Sequence, residues 1–203
     1  MLKTFFKRLN RKRLKDEQYA FLFEEPPLDE VVVFDTETTG LNPKTDEILS
    51  IGALIVKENK ILMSQKFECF IKPTKLINEE SIKIHQLRNI DLQNALDVQK
   101  ALEAFLAFIG SRTLVGYYIE FDASMINKYL QPWLGIRLPN PQIEISGIYH
   151  DKKMKRIAHG VIDLRFDVMM KDLDLPIFGK HDALNDAIMT AMMYIKLHNN
   201  DKI

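Results

Sequence analysis

The chain lacks several features that mark whole classes of protein. Its single cysteine, Cys69, excludes an intramolecular disulfide, so a reducing, cytoplasmic location is expected. No apolar run approaches the roughly 18 residues of a membrane span, and a signal peptide is not expected because the basic N-terminus has no apolar core. Net charge is also absent, since 28 basic residues balance 28 acidic ones. This balance argues against a protein that coats nucleic acid by neutralising many phosphates, but leaves open an enzyme that grips a few nucleotides.

The 203 residues, 46% of them hydrophobic, can bury one sizeable core. We therefore expect one globular domain over residues 28–203, preceded by a basic amphipathic helix and linker over residues 1–27. Residues 1–23 carry apolar positions at loose helical spacing, and Pro26 and Pro27 break the pattern. Such a helix can contact nucleic acid, anionic lipid or a partner, or support a homodimer. The simpler interpretation is that its apolar side packs on the domain.

The apolar patterns predict strands first and then alternating strands and helices, which is typical of an α/β sandwich around a mixed sheet. The first three strands form a meander with antiparallel pairing, and Glu58-Asn59 makes the hairpin turn between the second and third. The later strands are predicted over residues 47–56, 60–71 and 112–115. Helices are predicted over residues 78–86, 97–109, 122–130, 161–173 and 183–197, and residues 131–160 stay unassigned.

The stretch VVVFDTETTGL, residues 31–41, is an apolar strand that ends in two acids, Asp35 and Glu37. Side chains two apart on a strand point to the same face, so these carboxylates lie side by side. They repel each other unless something positive lies between them, and a divalent cation such as Mg²⁺ suits oxygen ligands. For an isolated D-x-E pair, two unrelated solvated acids are the commoner explanation.

Two further places hold acids at the edges of predicted elements. Asp122 follows a buried strand and opens a helix, where it could also be only an N-cap. The stretch KHDALNDA combines His181 with Asp186; we expect His181 before the helix and Asp186 pointing inward from it. Asp186 has apolar neighbours that are unfavourable to an unpaired charge, which indicates a cation partner. Taken singly, each residue also has a purely structural explanation.

Together these residues match a known arrangement. The chain resembles the DEDDh branch of the DnaQ-like 3′–5′ exonucleases, the family of the bacterial polymerase proofreading subunit. D-x-E with T-T-G-L stands at residues 35–41, F-D at Phe121-Asp122, and H-x-A-x-x-D at residues 181–186. A weaker match is Ile84-His85. The resemblance covers residues 31–197.

The resemblance implies a ribonuclease H-like mixed sheet flanked by helices, with the N-terminal helix as an addition. It implies two-metal-ion hydrolysis that releases nucleoside 5′-monophosphates from a 3′ end, with His181 as general base and Glu37 as a second group that positions the water. The ligands of the two ions, Mg²⁺ or Mn²⁺, would be Asp35, Glu37, Asp122 and Asp186. The substrate contacts would be Thr38, Gly40, Leu41, Phe121 and His85.

The implied partner is a single-stranded or frayed 3′ end, DNA rather than RNA. Tyr117-Tyr118 stands where the family usually carries His-Asn, which leaves the substrate contacts there open. Polymerase association is also open, because the C-terminal tail that tethers the proofreading subunit is absent after the third motif, and we do not expect attachment by that route.

Three other functions use some of the same residue types. An exoribonuclease of the oligoribonuclease or ribonuclease T type resembles the same site, and sugar 2′-hydroxyl contacts would decide the difference. An aspartyl phosphatase would require two aspartates after a strand and a catalytic lysine, and Glu37 with the His181/Asp186 pair argues against it. A non-catalytic scaffold should have lost one of the acids or the histidine, and none is missing.

Overall fold

A five-stranded mixed sheet forms the centre of the protein in a computed structural model, which describes residues 2–155, 161–179 and 181–199. The strand order is β3-β2-β1-β4-β5. The strands are β1 Glu30–Thr38, β2 Ile48–Lys57, β3 Lys60–Phe70, β4 Thr113–Gly116 and β5 Gln142–Glu144. The helices are α1 Leu2–Lys12, α2 Glu79–His85, α3 Val98–Ile109, α4 Ile119–Leu134, α5 Ile145–Met154, α6 Phe166–Asp172 and α7 Ala183–Asn199.

Strand β1 occupies the middle of the sheet, antiparallel to β2 and parallel to β4. Its side chains alternate between two cores, as strand geometry requires. Val31 and Val33 pack with Ala187 and Ala191 of α7. The side chains between them join the larger core, which α3 and α4 cover from the other face. Helices therefore flank both faces of the sheet, as the sequence predicted.

The antiparallel meander of the first three strands is confirmed. Glu58 and Asn59 both have positive φ, 48° and 60°, the pattern of a two-residue type I′ hairpin. The predicted bounds of these strands and of helices α2, α3 and α7 agree with the structure to within two residues. Local periodicity and turn chemistry were sufficient for these elements because each depends on neighbours in sequence.

The prediction of one continuous N-terminal helix was wrong. Helix α1 ends at Lys12, and a separate 3₁₀ segment runs from Glu17 to Phe23. Asp16 begins that segment because its carboxylate accepts the backbone N–H of Gln18. Tyr19 and Leu22 are buried in the larger core, so the expected packing on the domain holds for the 3₁₀ segment, whereas Phe5 and Phe6 of α1 are exposed. The division into residues 1–27 and 28–203 stays a prediction.

Three other boundaries also differ from the prediction. Helix α6 is short, because residues 161–165 are not helical and Asp163 accepts bonds from the backbone and guanidinium of Arg165. Helix α4 begins three residues before Asp122, so Asp122 is not the N-cap. The unassigned stretch contains β5 and α5. His159 and Lys180 lie outside the described residues.

In the described ranges, no helix combines the length and apolar character that a transmembrane crossing needs.

Candidate active site

Strand β1 supplies the first two acids. Asp35 and Glu37 lie on the face that packs against α7, with Asp35 partly buried and Glu37 only 8% exposed. The pairing with β2 shifts register between Glu37 and Thr38. Such an irregularity turns the chain out of the sheet and re-aims the side chains beside it. Asp35 and Glu37 therefore share one face of β1, as predicted, at the point where the regular pairing of β1 with β2 ends.

Helix α7 delivers the third motif because β2 has no side chain in its way. Gly52 lies opposite Asp35, and a Cβ there would stand 2.2 Å from the backbone nitrogen of Leu184. The backbone at the start of α7 therefore rests directly on β2, which brings the first turn of the helix to the acids of β1. His181 precedes the helix with a φ of 62°, and its N–H donates to Oδ2 of Asp186 at 3.0 Å.

Asp122 reaches the site from the other face of the sheet, in the first turn of α4. It is 3% exposed, and its Oδ1 accepts both the hydroxyl and the backbone N–H of Thr36, at 2.5 and 3.1 Å. Glu144 of β5 fixes the start of the helix by accepting the N–H of Ile119 at 3.0 Å. Two elements distant in sequence therefore hold this carboxylate beside Asp35.

The structure brings all four acids and the histidine together. One ligand atom each from Glu37, His181 and Asp186 lies within 4.8 Å of the others. Asp35 and Asp122 adjoin this group closely enough for their charges to act on one another. Within the described ranges, no lysine or arginine forms an ion pair with Asp35, Glu37 or Asp122.

Burial and mutual repulsion disfavour the ionised form of these acids. Burial raises the pKa of Asp35 well above its usual range, and the charges of Asp122, Asp186 and Glu37 add to the rise. Burial and the neighbouring acids raise the pKa of Glu37 to about 8. The pKa of Asp122 rises to about 7, because burial outweighs the opposing hydrogen bonds from Thr36. A site that resists carrying its own negative charge is one that a cation would complete.

The predicted substrate contacts occupy different environments. Leu41 is 84% exposed beside the acids' strand, whereas Phe121 packs against the larger core. The Thr38 hydroxyl donates to the carbonyl of Gly40 at 2.8 Å, so that side chain closes the turn. A Cβ on Gly40 would stand 2.6 Å from a carboxylate oxygen of Asp46, which explains the glycine by packing within the loop.

His85 is buried beside the site with one ring nitrogen satisfied. Its Nδ1 accepts the backbone N–H of Leu87 at 3.0 Å, so Nε2 carries the proton. Among the described residues, Nε2 has no hydrogen-bond partner although the residue is only 5% exposed. Burial and the neighbouring His181 lower the pKa of His85, which keeps the ring neutral.

Four residues that position the site were not predicted from the sequence: Thr36, Gly52, Glu144 and Asp182. Asp182 could have been found, because an aspartate before an apolar helix is an N-cap signal. Its carboxylate accepts the N–H of Asn185 at 2.9 Å, and its charge also acts on Asp35 and Glu37. The other three act through contacts between strands or between strand and helix, for which the sequence holds no local signal.

Comparison with solved structures establishes the fold. The chain is similar to Escherichia coli Exonuclease I in complex with a dT13 oligonucleotide, with a TM-score of 0.68 and 15% identity over 84% of this chain and 41% of that one. The likeness confirms the expected ribonuclease H-like arrangement of a mixed sheet flanked by helices.

Sequence relatives extend the comparison. The chain is 27% identical to the DNA polymerase III subunit epsilon of Aquifex aeolicus over 82% of this chain and 79% of that protein. It is 34% identical to the PolC-type DNA polymerase III of Ureaplasma parvum over 83% of this chain. The chain spans about a tenth of the length of such PolC-type relatives.

The sequence model of the exonuclease family RNase_T covers residues 32–194, which include all three motifs, the whole of α4 and most of α7. This chain therefore belongs to the RNase_T exonuclease family, the group of DnaQ-like exonucleases.

Proposed function

We propose that this chain is a metal-dependent 3′–5′ exonuclease that hydrolyses DNA from its 3′ end and releases nucleoside 5′-monophosphates. The observation that carries the proposal is the cluster of four carboxylates and one histidine at the end of β1. Glu37, His181 and Asp186 converge there within 4.8 Å, in a chain whose family is defined as exonucleases.

The donor set fits hard divalent cations, Mg²⁺ or Mn²⁺. Four carboxylates supply the oxygen ligands that such ions prefer: Asp35, Glu37, Asp122 and Asp186. The raised pKa values of Asp35, Glu37 and Asp122 mark a site whose own charges are uncompensated without a cation. When bound, two such ions supply charge neutralisation for the scissile phosphate and acidify the attacking water.

His181 supplies the base in this proposal. It stands exposed at the mouth of the cluster, and its backbone is tied to Asp186. An imidazole in that position takes the proton from the attacking water, since histidine is the side chain that most often serves as a general base. Glu37, whose carboxylate lies within 4.8 Å of the imidazole, helps to orient the same water.

The loop after β1 would receive the terminal nucleotide. Leu41, 84% exposed, offers an apolar side chain against the last base, and the backbone around Thr38 and Gly40 lies beside the acids. His85 Nε2–H is a buried donor that lacks an acceptor among the described residues, and an oxygen of the bound nucleotide would supply it. Phe121, which packs against the larger core, is the remaining proposed substrate contact.

DNA is the proposed substrate because relatives of this chain are named as a PolC-type DNA polymerase III and as a DNA polymerase III subunit epsilon. An exoribonuclease differs in contacts to the sugar 2′-hydroxyl. The test is therefore a pair of single strands of identical sequence, one DNA and one RNA, each labelled at its 5′ end and incubated with Mg²⁺, with Mn²⁺ or with a chelator.

We expect stepwise shortening of the DNA strand that the chelator stops. Asp186→Ala should abolish it while the circular dichroism spectrum is kept, whereas Asp151→Ala, a change to an exposed acid on α5, should not. Retained hydrolysis by Asp186→Ala would contradict the site assignment. Faster degradation of the RNA strand would favour the exoribonuclease.

A further inference from the structure

Tyr118 combines three properties that a structural residue rarely has. It is 69% exposed, it has a φ of 58° and a ψ of 35°, and it stands directly before α4, one helical turn from Asp122. Left-handed backbone is unusual for a bulky aromatic residue, and such outliers cluster at functional sites.

The position of Tyr118 is that of an N-cap, yet its side chain forms no capping bond. Glu144 takes over that task, because its carboxylate accepts the N–H of Ile119. The same carboxylate also accepts the N–H and hydroxyl of Ser146, so it caps α5 as well as the start of α4. The Tyr118 ring is therefore released from any part in forming the helix.

Tyr117 holds that ring in place. The two rings meet edge to face, with centroids 5.0 Å apart and planes at 89°. Tyr117 is itself fixed, because its hydroxyl donates to the carbonyl of Leu164 at 3.1 Å and its ring meets Phe166 at 5.2 Å. Tyr118 thus presents a supported aromatic surface to solvent.

Both tyrosines line a cleft of about 670 Å³ whose charges are unsuited to phosphate. Among its described lining residues there are three carboxylates, those of Glu120, Glu144 and Asp163, and one guanidinium. That guanidinium, on Arg165, is already paired with Asp163 at 2.6 Å. A neutral aromatic group that carries N–H donors fits such a cleft, and a nucleobase has both properties.

We propose that Tyr118 stacks on a nucleobase of the bound strand, upstream of the terminal nucleotide. This inference rests on the proposed exonuclease function. The terminal base is assigned to the loop that leads from β1 to β2, whereas Tyr118 follows β4 on the opposite side of β1. The strand thus crosses the acids between Leu41 and Tyr118. Since every base has an aromatic face, this contact adds affinity without sequence preference.

The experiment uses the full chain and a 5′-labelled single strand of deoxyadenylate. Tyr118→Asn removes the ring but suits the left-handed backbone, which asparagine adopts readily. Tyr118→Phe keeps the ring and is the matched control. Each protein is also given strands in which the second, third or fourth nucleotide from the 3′ end is abasic, and kcat/KM is measured for release of the terminal nucleotide.

On the intact strand, we expect Tyr118→Asn to lower kcat/KM about tenfold relative to the parent, mainly by raising KM. Tyr118→Phe, which keeps the ring, should have a kcat/KM within about twofold of the parent's. At one abasic position the parent should lose a similar factor, and its advantage over Tyr118→Asn should disappear.

The stacking proposal would be overturned if Tyr118→Asn had a lower kcat/KM than the parent at all three abasic positions. It would also be overturned if Tyr118→Phe lost as much kcat/KM on the intact strand as Tyr118→Asn does. If the parent is active and Tyr118→Asn is equally active, the stacking proposal is overturned but the proposed exonuclease function is not. A parent that degrades no strand would overturn the proposed function as well.

Discussion

The chemistry of single residues at this site follows from the environment of each side chain. Glu37 and Asp122 are ordinary acids in the sequence, but burial among like charges raises their pKa values to about 8 and about 7. His181 differs, because it stands exposed at the mouth of the cluster while its backbone is tied to Asp186. The acids are thus suited to holding cations and the imidazole to moving a proton.

His181→Ala tests that assignment. Loss of a general base typically lowers turnover by about 10²–10⁴-fold, so we expect kcat for a labelled DNA strand to fall by that factor. His150→Ala, which alters an exposed histidine on α5, is the control and should keep the parent's rate. Parental turnover by His181→Ala would show that another group is the base.

At the scale of elements, the site depends on how closely α7 approaches the sheet. Gly52 of β2 lies under the backbone of Ala183 and Leu184, with no room for a Cβ. The approach places Asp186 against the strand that carries Asp35. Helix α4 is placed by a different device, the carboxylate of Glu144 at its first N–H.

Gly52→Ala should therefore displace α7. Backbone atoms at 2.2 and 2.3 Å from the new Cβ cannot yield as a side chain can, so we expect a stability loss of about 1–3 kcal/mol and a large fall in kcat. Gly147→Ala in α5 is the matched control, since no described atom beyond its chain neighbours and its own helix backbone lies within 4 Å of a Cβ there. That change should be neutral or stabilise by up to about 1 kcal/mol. Thermal melts and turnover of both variants check the prediction; equal behaviour would contradict it.

At the scale of the whole molecule, the protonation of the site's acids affects the free energy of unfolding. Without metal, the folded chain keeps protons on Glu37 and Asp122 that the unfolded chain releases near pH 4. Between those values the folded state binds more protons, so the free energy of unfolding must fall as pH rises.

We expect the metal-free Tm to fall by at least about 4 °C between pH 5 and about pH 8.5. Mn²⁺ should restore more stability at the upper end than at the lower, because it binds the ionised carboxylates. Glu37→Gln cannot ionise and should flatten the fall. A Tm that rises with pH in the metal-free parent, or that Glu37→Gln leaves equally steep, would contradict this account.

The N-terminal segment tests whether residues 1–27 are separable. A chain that begins at residue 14 loses α1, whereas one that begins at residue 28 also loses Tyr19 and Leu22 from the larger core. Removing such buried side chains costs several kcal/mol. We therefore expect the first truncation to change Tm little and the second to lower it sharply, as measured by thermal melts. Equal Tm values for the two truncations would show that the 3₁₀ segment adds no stability.

The sequence by itself pointed to the candidate acids and histidine, because D-x-E, F-D and H-x-A-x-x-D occur in the order that the resemblance to the exonuclease family requires. Period-two alternation also placed Asp35 and Glu37 on one face. Only the tertiary structure decided what holds them there. Thr36 bonds Asp122 across 86 residues, Glu144 caps a helix 25 residues away, and Gly52 admits α7. Such contacts join residues that are distant in sequence, and neither spacing nor propensity specifies which distant partners meet.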